Sequence, residues 1–275
     1  MSVVVRVRAP ASTANLGPGF DCAAVALDLW NELEVSDSED VAGADLDHLG
    51  IRAFARLASP DGKRFMFVDR VPRERGLGSS ASVIALGLVA GAALSGSDVD
   101  VDDLLAAGLD LEGHPDNLAA ALAGGVCLTW EGHVERLADA PPAVPIALVP
   151  KERVATADAR AALPEHVSHA DAAYTASRAA LLGAALASGS TELFAAALDD
   201  RLHEPYRAGH APLLADVRGR LPAGALGATI SGSGPAVVVW ARADAVAECV
   251  AELTRRFAQV DVLALPATPK GAHVQ

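Results

Sequence analysis

Val3, Val5 and Val7 alternate with Arg6 and Arg8 at the start of the chain, the two-residue period of a strand with one buried face. A loop rich in small residues, 11–21 (ASTANLGPGFD), leads into a second strand-like stretch at 25–35 (VALDLWNELEV). Asp37, Glu39, Asp40, Asp45 and Asp47 then mark 36–47 as a solvated turn. The pattern next predicts a short helix near 48–58, a strand at 65–71, a Pro/Arg/Gly segment and a long Ala/Val/Leu helix from about Ser79 to Leu94. Helical spacing returns near 101–111 and 115–123, and GGVCLTW (124–130) reads as a strand.

Clustered prolines in ADAPPAVP (138–145) break both periods and divide the chain into 1–142 and 143–275. Beyond them come a strand at 146–149 and several helices between 157 and 221. The stretch ALGATISGSGPAVVVWA reads as strand, Gly-rich turn and strand, followed by a helix at 244–257 and a last strand, VDVLALP. Strands and helices do not alternate regularly enough for a barrel or a doubly wound sheet, so the class is α+β.

Composition narrows the function. Apolar residues make up 51% of the 275, enough for a substantial core, and alanine-rich runs such as NLAAALAGG (117–125) suit closely packed helices. The net charge is −13, from 35 acidic against 22 basic residues, which gives no basic face for nucleic acid. Cys22, Cys127 and Cys249 are odd in number and never in a CxxC pair, against a disulfide framework or a zinc site. MSVVVRVRAP is no signal peptide, and Val83 to Leu94 is too short to span a bilayer. A cytoplasmic protein with neither a nucleic-acid nor a membrane partner is the expectation.

Three Gly-rich loops carry the candidate chemistry. In RGLGSSAS (75–82), Gly76 and Gly78 let the backbone approach a ligand, and Ser79 and Ser80 open an apolar helix. A helix start offers unpaired N–H groups and about half a positive charge, a ready phosphate site; an ordinary Ser-capped helix is the alternative. GxxxxGK[ST] is absent. Gly76 to Ala81 fits GxGxxA, but PRER separates it from the preceding strand, unlike a dinucleotide turn. PASTANLGPGFD (10–21) and SGSGPA (231–236) have the same close-backbone character.

Taken in order, PASTANLGPGFD, PRERGLGSSAS, LEGHPDN (111–117) and ISGSGPA resemble the motifs of the GHMP kinase superfamily, and the first and third of these its homoserine kinases in particular. The resemblance runs from about Val5 to Leu265. It implies a two-domain α+β fold, with a left-handed βαβ unit in the N-terminal, ATP-binding domain and a ferredoxin-like C-terminal domain. It implies ATP as co-substrate, Mg2+, L-homoserine as phosphoryl acceptor and a homodimer. Pro72, Arg75, Gly76, Leu77, Gly78, Ser79, Ser80, Ala81 and Ser82 would then bind ATP. Asn15, Asp21 and His114 would surround the substrate ammonium, and Arg160 and Arg207 would clamp its carboxylate, as planar guanidinium groups suit. Asn117 would orient the hydroxyl, Asp116 would position that loop, and Thr156 would lie near the transferred phosphate.

Each of these has a plainer reading. Asn15 and Asp21 could brace their own loop, His114 and Asp116 could cap the helix that begins near Pro115, and the two arginines could lie on the surface. No lysine near the first or central motif supplies the Asp–Lys base of mevalonate kinases. The chain also departs from the pattern. Ser80 would touch the metal, but the metal-linked glutamate aligns with Asp110, one methylene shorter, and Glu112 is the alternative. His48 stands where related kinases often have Asn near the adenine, and 36–75 is short for the family. A kinase of another small alcohol and a non-catalytic nucleotide-binding regulator are the competing readings.

Overall fold

The structure, a computed structural model, describes residues 3–38 and 45–275, with Val3 and Val4 described in backbone only. The face taken by Val3, and Glu39 and Asp40 of the acidic turn, lie outside the described residues. Strands β1 (Val3–Asn15) and β2 (Gly19–Asp37) form a long antiparallel hairpin. The expected loop over 11–21 is therefore two strand ends and a short turn. Its residues escaped the strand pattern because they are small: Ala11, Ser12, Thr13 and Ala14 are fully buried without being strongly apolar. Ala14, Ala24 and Ala26 pack on Ala120, so a helix lies close against this part of the hairpin.

Helix α1 (Leu49–Phe54) leads to β3 (Lys63–Val68), which pairs with β2 over Glu32–Asp37. It ends before the expected 71 because the Asn31 carboxamide oxygen accepts from the N–H groups of Arg70 and Val71 and turns the chain. Three helices follow: α2 (Ser79–Ser95), α3 (Val101–Glu112) and α4 (Pro115–Ala123). They lead to β4 (Val126–Trp130), which also pairs antiparallel with β2, at Ala23–Val25, and then to β5 (His133–Ala138). Strands β3 and β4 thus run in the same direction on one flank of β2, with α2 to α4 crossing between them.

Beyond the prolines lie β6 (Val144–Val149), five helices, α5 (Thr156–Ala161), α6 (His169–Ser188), α7 (Thr191–Ala197), α8 (Glu204–Arg207) and α9 (Leu213–Gly219), then β7 (Ala225–Ile230) and β8 (Val237–Ala241). Helix α10 (Val246–Arg256) and β9 (Asp261–Ala264) complete a second antiparallel sheet, ordered β7-β8-β6-β9. Counted from its first strand that order is 2-3-1-4, with helices between the first and second strands and between the third and fourth, which is the ferredoxin-like βαββαβ arrangement. The chain then returns to the first sheet, where β10 (His273–Val274) pairs with β1.

One apolar core joins the two sheets: Leu16, Val25 and Leu27 pack with Ala147, Leu182, Phe194 and Trp240. The Trp240 indole N–H donates to Thr229 Oγ1 at 3.0 Å, so the largest buried side chain carries no unpaired donor. A second core lies under the helical layer, where Phe54, Ile84, Leu88, Leu105 and Leu118 meet the inner face of β1 and β2. Among the described residues no helix is long and apolar enough to cross a membrane.

Candidate functional site

The three Gly-rich loops meet. Ser12 N–H donates to Leu77 O, Gly232 N–H to Ala14 O and Ala236 N–H to Arg75 O, so backbone bonds stitch the hairpin turn, the central loop and the β7–β8 turn together. Ser231 Oγ lies 2.6 Å from Gly76 O and 2.9 Å from Thr13 Oγ1. The contact explains the glycines. Gly76 (φ +80°) and Gly78 (φ +65°) are left-handed, and a Cβ on them would overlap Ser231 O and Ser12 Oγ respectively. Gly78 is the N-cap of α2 and no side chain caps that helix, so the Ser-capped alternative does not hold and the first-turn N–H groups are left uncapped where Gly78, Ser79 and Ser80 line the cleft.

The cleft beside this junction has a cavity volume of about 130 Å3. It brings together Asn15, Asp21, Gly76, Gly78, Ser79, Ser80, Glu112, His114, Asp116, Asn117, Thr156, Arg160 and Arg207. They come from β1 and β2 of the first sheet, the central loop and the start of α2, the end of α3, the start of α4, and α5 and α8. Pro72, Leu77, Ala81, Ser82 and Arg75 are not in its wall. Leu77 and Ala81 are core residues, and Ser82 Oγ donates to Ala9 O. The Arg75 guanidinium turns away to the carbonyls of Pro150, Lys151 and Arg73, so it ties the central loop to the end of β6 rather than facing phosphates.

The cleft is rich in charge. Arg160 donates two bonds to the Asp21 carboxylate, at 2.8 and 2.9 Å. Arg207 is buried and gives Nη1–H to Gly232 O at 3.2 Å and Nε–H to Ala159 O at 3.4 Å. Each guanidinium carbon lies 5.1 Å from the centre of the Phe20 ring, so one aromatic ring serves both cations. Burial first, then the Arg160 charge, lowers the basicity of His114, and of Arg207 likewise. His114 sits at the N-cap of α4 without bonding the helix, so it lines the cleft rather than capping.

Asn15 does brace its loop: its Nδ2 donates to Gly232 O at 2.8 Å and its Oδ1 accepts from Asp21 N–H at 3.0 Å. Asn117 Oδ1 accepts from Ser12 Oγ at 2.8 Å, and Asp116 Oδ1 accepts from Asn117 N–H at 2.6 Å, a bond within the first turn of α4. Asp116 is buried, which pushes its carboxyl up to about 6. Thr156 opens α5, with Oγ1 3.4 Å from Ser233 Oγ.

The metal candidates separate. Asp110 is exposed and ion-paired with Arg56, outside the cleft. Glu112 lies inside it, hydrogen-bonded to Ser80, with a buried Oε2 that has no partner. Burial pushes its carboxyl up to about 7, with Asp116 adding repulsion and the Ser80 bond opposing. An orphaned carboxylate oxygen beside a hydroxyl fits a hard divalent cation whose other ligands are phosphate oxygens and waters. No cluster of three or more His, Cys, Asp or Glu is assembled among the described residues, so a cation here would depend on the nucleotide for its remaining ligands.

His48 lies in a neighbouring pocket that shares Glu74, Ser79 and Ser80 with the cleft. Its ring centre is 4.1 Å from that of Phe67, and burial lowers its basicity. Sequence reasoning missed several contributors. Gly232 and Ser233 belong to the third motif, and the structure brings both into the cleft. Phe20 carried a signal, being the one aromatic residue in the first Gly-rich loop. Glu74, left-handed at φ +57°, carried none.

Comparison with known proteins gives two matching family models. The sequence profile of the GHMP kinases N terminal domain matches residues 48–125, and that of the GHMP kinases C terminal matches 182–259. The chain is 42% identical to a homoserine kinase of Streptomyces avermitilis over 297 aligned positions, covering 99% of this chain and 96% of that one. It is 42% identical to a homoserine kinase of Gloeobacter violaceus, with 86% and 88% covered. In structure it resembles a homoserine kinase of Cytophaga hutchinsonii, with TM-score 0.87, 27% identity and 100% and 98% covered. A mevalonate kinase of Methanococcus jannaschii shares the fold, with TM-score 0.72, 14% identity and 97% and 99% covered.

Proposed function

Because the chain belongs to the GHMP kinases, and among them to the homoserine kinases, we propose that it transfers the γ-phosphoryl group of ATP to the side-chain hydroxyl of L-homoserine. The observation that carries the reading is one cleft lined both by an uncapped helix N-terminus and by two arginines with an aspartate. A zwitterionic amino alcohol has the matching chemistry: a carboxylate for Arg160 and Arg207, an ammonium for Asp21 with His114 beside it, and a hydroxyl to be turned toward the phosphates.

In this reading the N–H groups at the start of α2, with Ser79 and Ser80, take the phosphate charge. Asn15 holds Asp21 and the third loop in register, while Asn117, itself held by Ser12 and Asp116, orients the hydroxyl. Thr156 lies on the path of the transferred group. A bond forms between the hydroxyl oxygen and the γ-phosphorus as the bond to the ADP oxygen breaks, and the hydroxyl proton passes to a phosphate oxygen and on to solvent. Among the described residues of the cleft none is assigned as a general base, so positioning and charge neutralisation supply most of the acceleration. Ser80 and Glu112 would hold Mg2+, which when bound offsets the charge of the β- and γ-phosphates. The reading includes a division at 142/143 with the last residues crossing back, a homodimer, and cytoplasmic work on two small substrates.

ADP release by the purified protein, assayed with homoserine, mevalonate, galactose and shikimate, tests the proposal. Turnover should be greatest with L-homoserine and require ATP and Mg2+. Better turnover of another alcohol, or ATP binding with no turnover at all, would sink it.

A further inference from the structure

We infer that His203, through its Nδ1 lone pair facing Arg207 and its stack on the Phe20 ring, positions the Arg207 guanidinium and thereby sets the selectivity of the cleft for a substrate carboxylate. The inference rests on the amino-acid substrate proposed above. His203 is fully buried, and its ring lies 4.9 Å from that of Phe20 at an interplanar angle of 19°. Its Nε2 is 2.8 Å from Gly17 O, a contact that only an N–H can make, so Nε2 carries the proton. Nδ1 is then a lone pair, and it faces Arg207 Nη1 at 3.4 Å. Arg207 therefore has Nε and Nη1 directed inward, to Ala159 O, Gly232 O and His203, leaving Nη2 as the nitrogen still open to a ligand.

The imidazole is itself held rigidly. Asp200 Oδ2 accepts from the backbone N–H groups of His203 and Glu204, and Oδ1 from that of Leu202 and from Thr175 Oγ1. The charged groups that face the ring are Asp200, whose Oδ2 is 3.6 Å from Nε2, Arg207 and, more remotely, Asp21. Burial keeps the ring neutral against the pull of Asp200, and neutrality is what an acceptor for an arginine requires. His203 also bonds the first motif at Gly17 while Arg207 bonds the third at Gly232, so the pair spans the carboxylate end of the cleft. His203 touches no reacting atom in this scheme; it is a positioning residue.

The experiment compares L-homoserine with 3-aminopropan-1-ol, which keeps the amine and hydroxyl but has no carboxylate, as substrate or, where turnover is too slow, as competitive inhibitor. His203→Phe keeps the stacked ring and removes the acceptor. It should raise the homoserine KM about tenfold or more, with kcat within about threefold and the ATP KM within about twofold. The kinetic constant for 3-aminopropan-1-ol should stay within about twofold of wild type. Phe20→Leu should shift the two compounds in the same unequal way. His203→Gln, which retains a donor and an acceptor, should show the same inequality at about threefold, and it decides the matter if His203→Phe does not fold. Equal losses for both compounds, or an unchanged homoserine KM, would overturn the inference. Wild-type turnover of homoserine separates this from failure of the function itself.

Discussion

Replacing Glu112 by Gln should make the metal-free protein more stable and the enzyme nearly inactive. Burial raises this carboxyl from its ordinary 4.5 to about 7. Between those values the unfolded chain has released the proton while the native chain still holds it, so native stability falls as pH rises and the penalty is complete above pH 7. At about 1.36 kcal/mol per pH unit, the carboxylate costs roughly 3 kcal/mol at pH 8 and about 1 kcal/mol at pH 5. Glutamine keeps the shape and the Ser80 contact without the charge, so it should recover those amounts. Urea unfolding at both pH values, with chelator present, measures the difference. In the same variant, activity at saturating Mg2+ should drop about a hundredfold, the factor that roughly 3 kcal/mol of lost charge stabilisation gives. A variant less stable than wild type at pH 8, or one stabilised equally at pH 5 and 8, would refute the reasoning.

Asp110→Asn should leave both the Mg2+ dependence of activity and, within roughly 0.5 kcal/mol, the stability unchanged, because Asp110 is exposed and paired with Arg56 away from the cleft; an Mg2+ titration of the rate checks it. Arg160→Ala should raise the homoserine KM about thirtyfold, from roughly 2 kcal/mol of lost charge-assisted bonding. Its melting temperature should barely change, since the pair with Asp21 is about one-third exposed on each side. Gly76→Ala forces a side chain into a left-handed residue against the Ser231 carbonyl. Thermal unfolding should report a loss of about 2–4 kcal/mol, and the ATP KM should rise as the junction of loops opens.

Much of this was legible because the periods were strong where the core is thick. Helices α2, α3 and α4 lie within a residue or two of where Ala/Val/Leu spacing puts them, and the ββ turn at 231–236 is where SGSGPA predicts it. The first motif was misread as loop because Ala11, Ser12, Thr13 and Ala14 are buried in a strand by virtue of size, and a hydropathy pattern records apolarity rather than smallness. Arg75 shows a second limit. Its motif position suggests phosphate, yet a guanidinium has five donors, and the nearest acceptors turn out to be the carbonyls at the end of β6. The choice between Asp110 and Glu112 was closed to sequence for a similar reason. Two residues on a helix are separated by about 200°, and only packing decides which of the two faces the cleft.

The Asp21–Arg160 pair carries the argument for a zwitterionic ligand furthest. Asn15 and Asp21 both adopt left-handed backbone, at φ +73° and +56°, in a hairpin turn that brings the Asp21 carboxylate to Arg160 of α5. Such geometry costs about 1 kcal/mol or more per non-glycine residue, though Asn and Asp tolerate it best. An ion pair this exposed returns at most about 1 kcal/mol. Stability alone therefore gives little reason to hold two strained residues in place for it. Ligand exchange, on the proposed function, would supply one. A substrate with its own ammonium and carboxylate can give one to Asp21 and the other to Arg160, replacing each partner by an equivalent charge. Neither protein ion is then left desolvated and unpaired as the cleft fills, the outcome that makes burying a single charge expensive. On the proposed function, a substrate with only one of the two charges would strand the other residue, so the pair would select for amino acids before any contact with the hydroxyl is made.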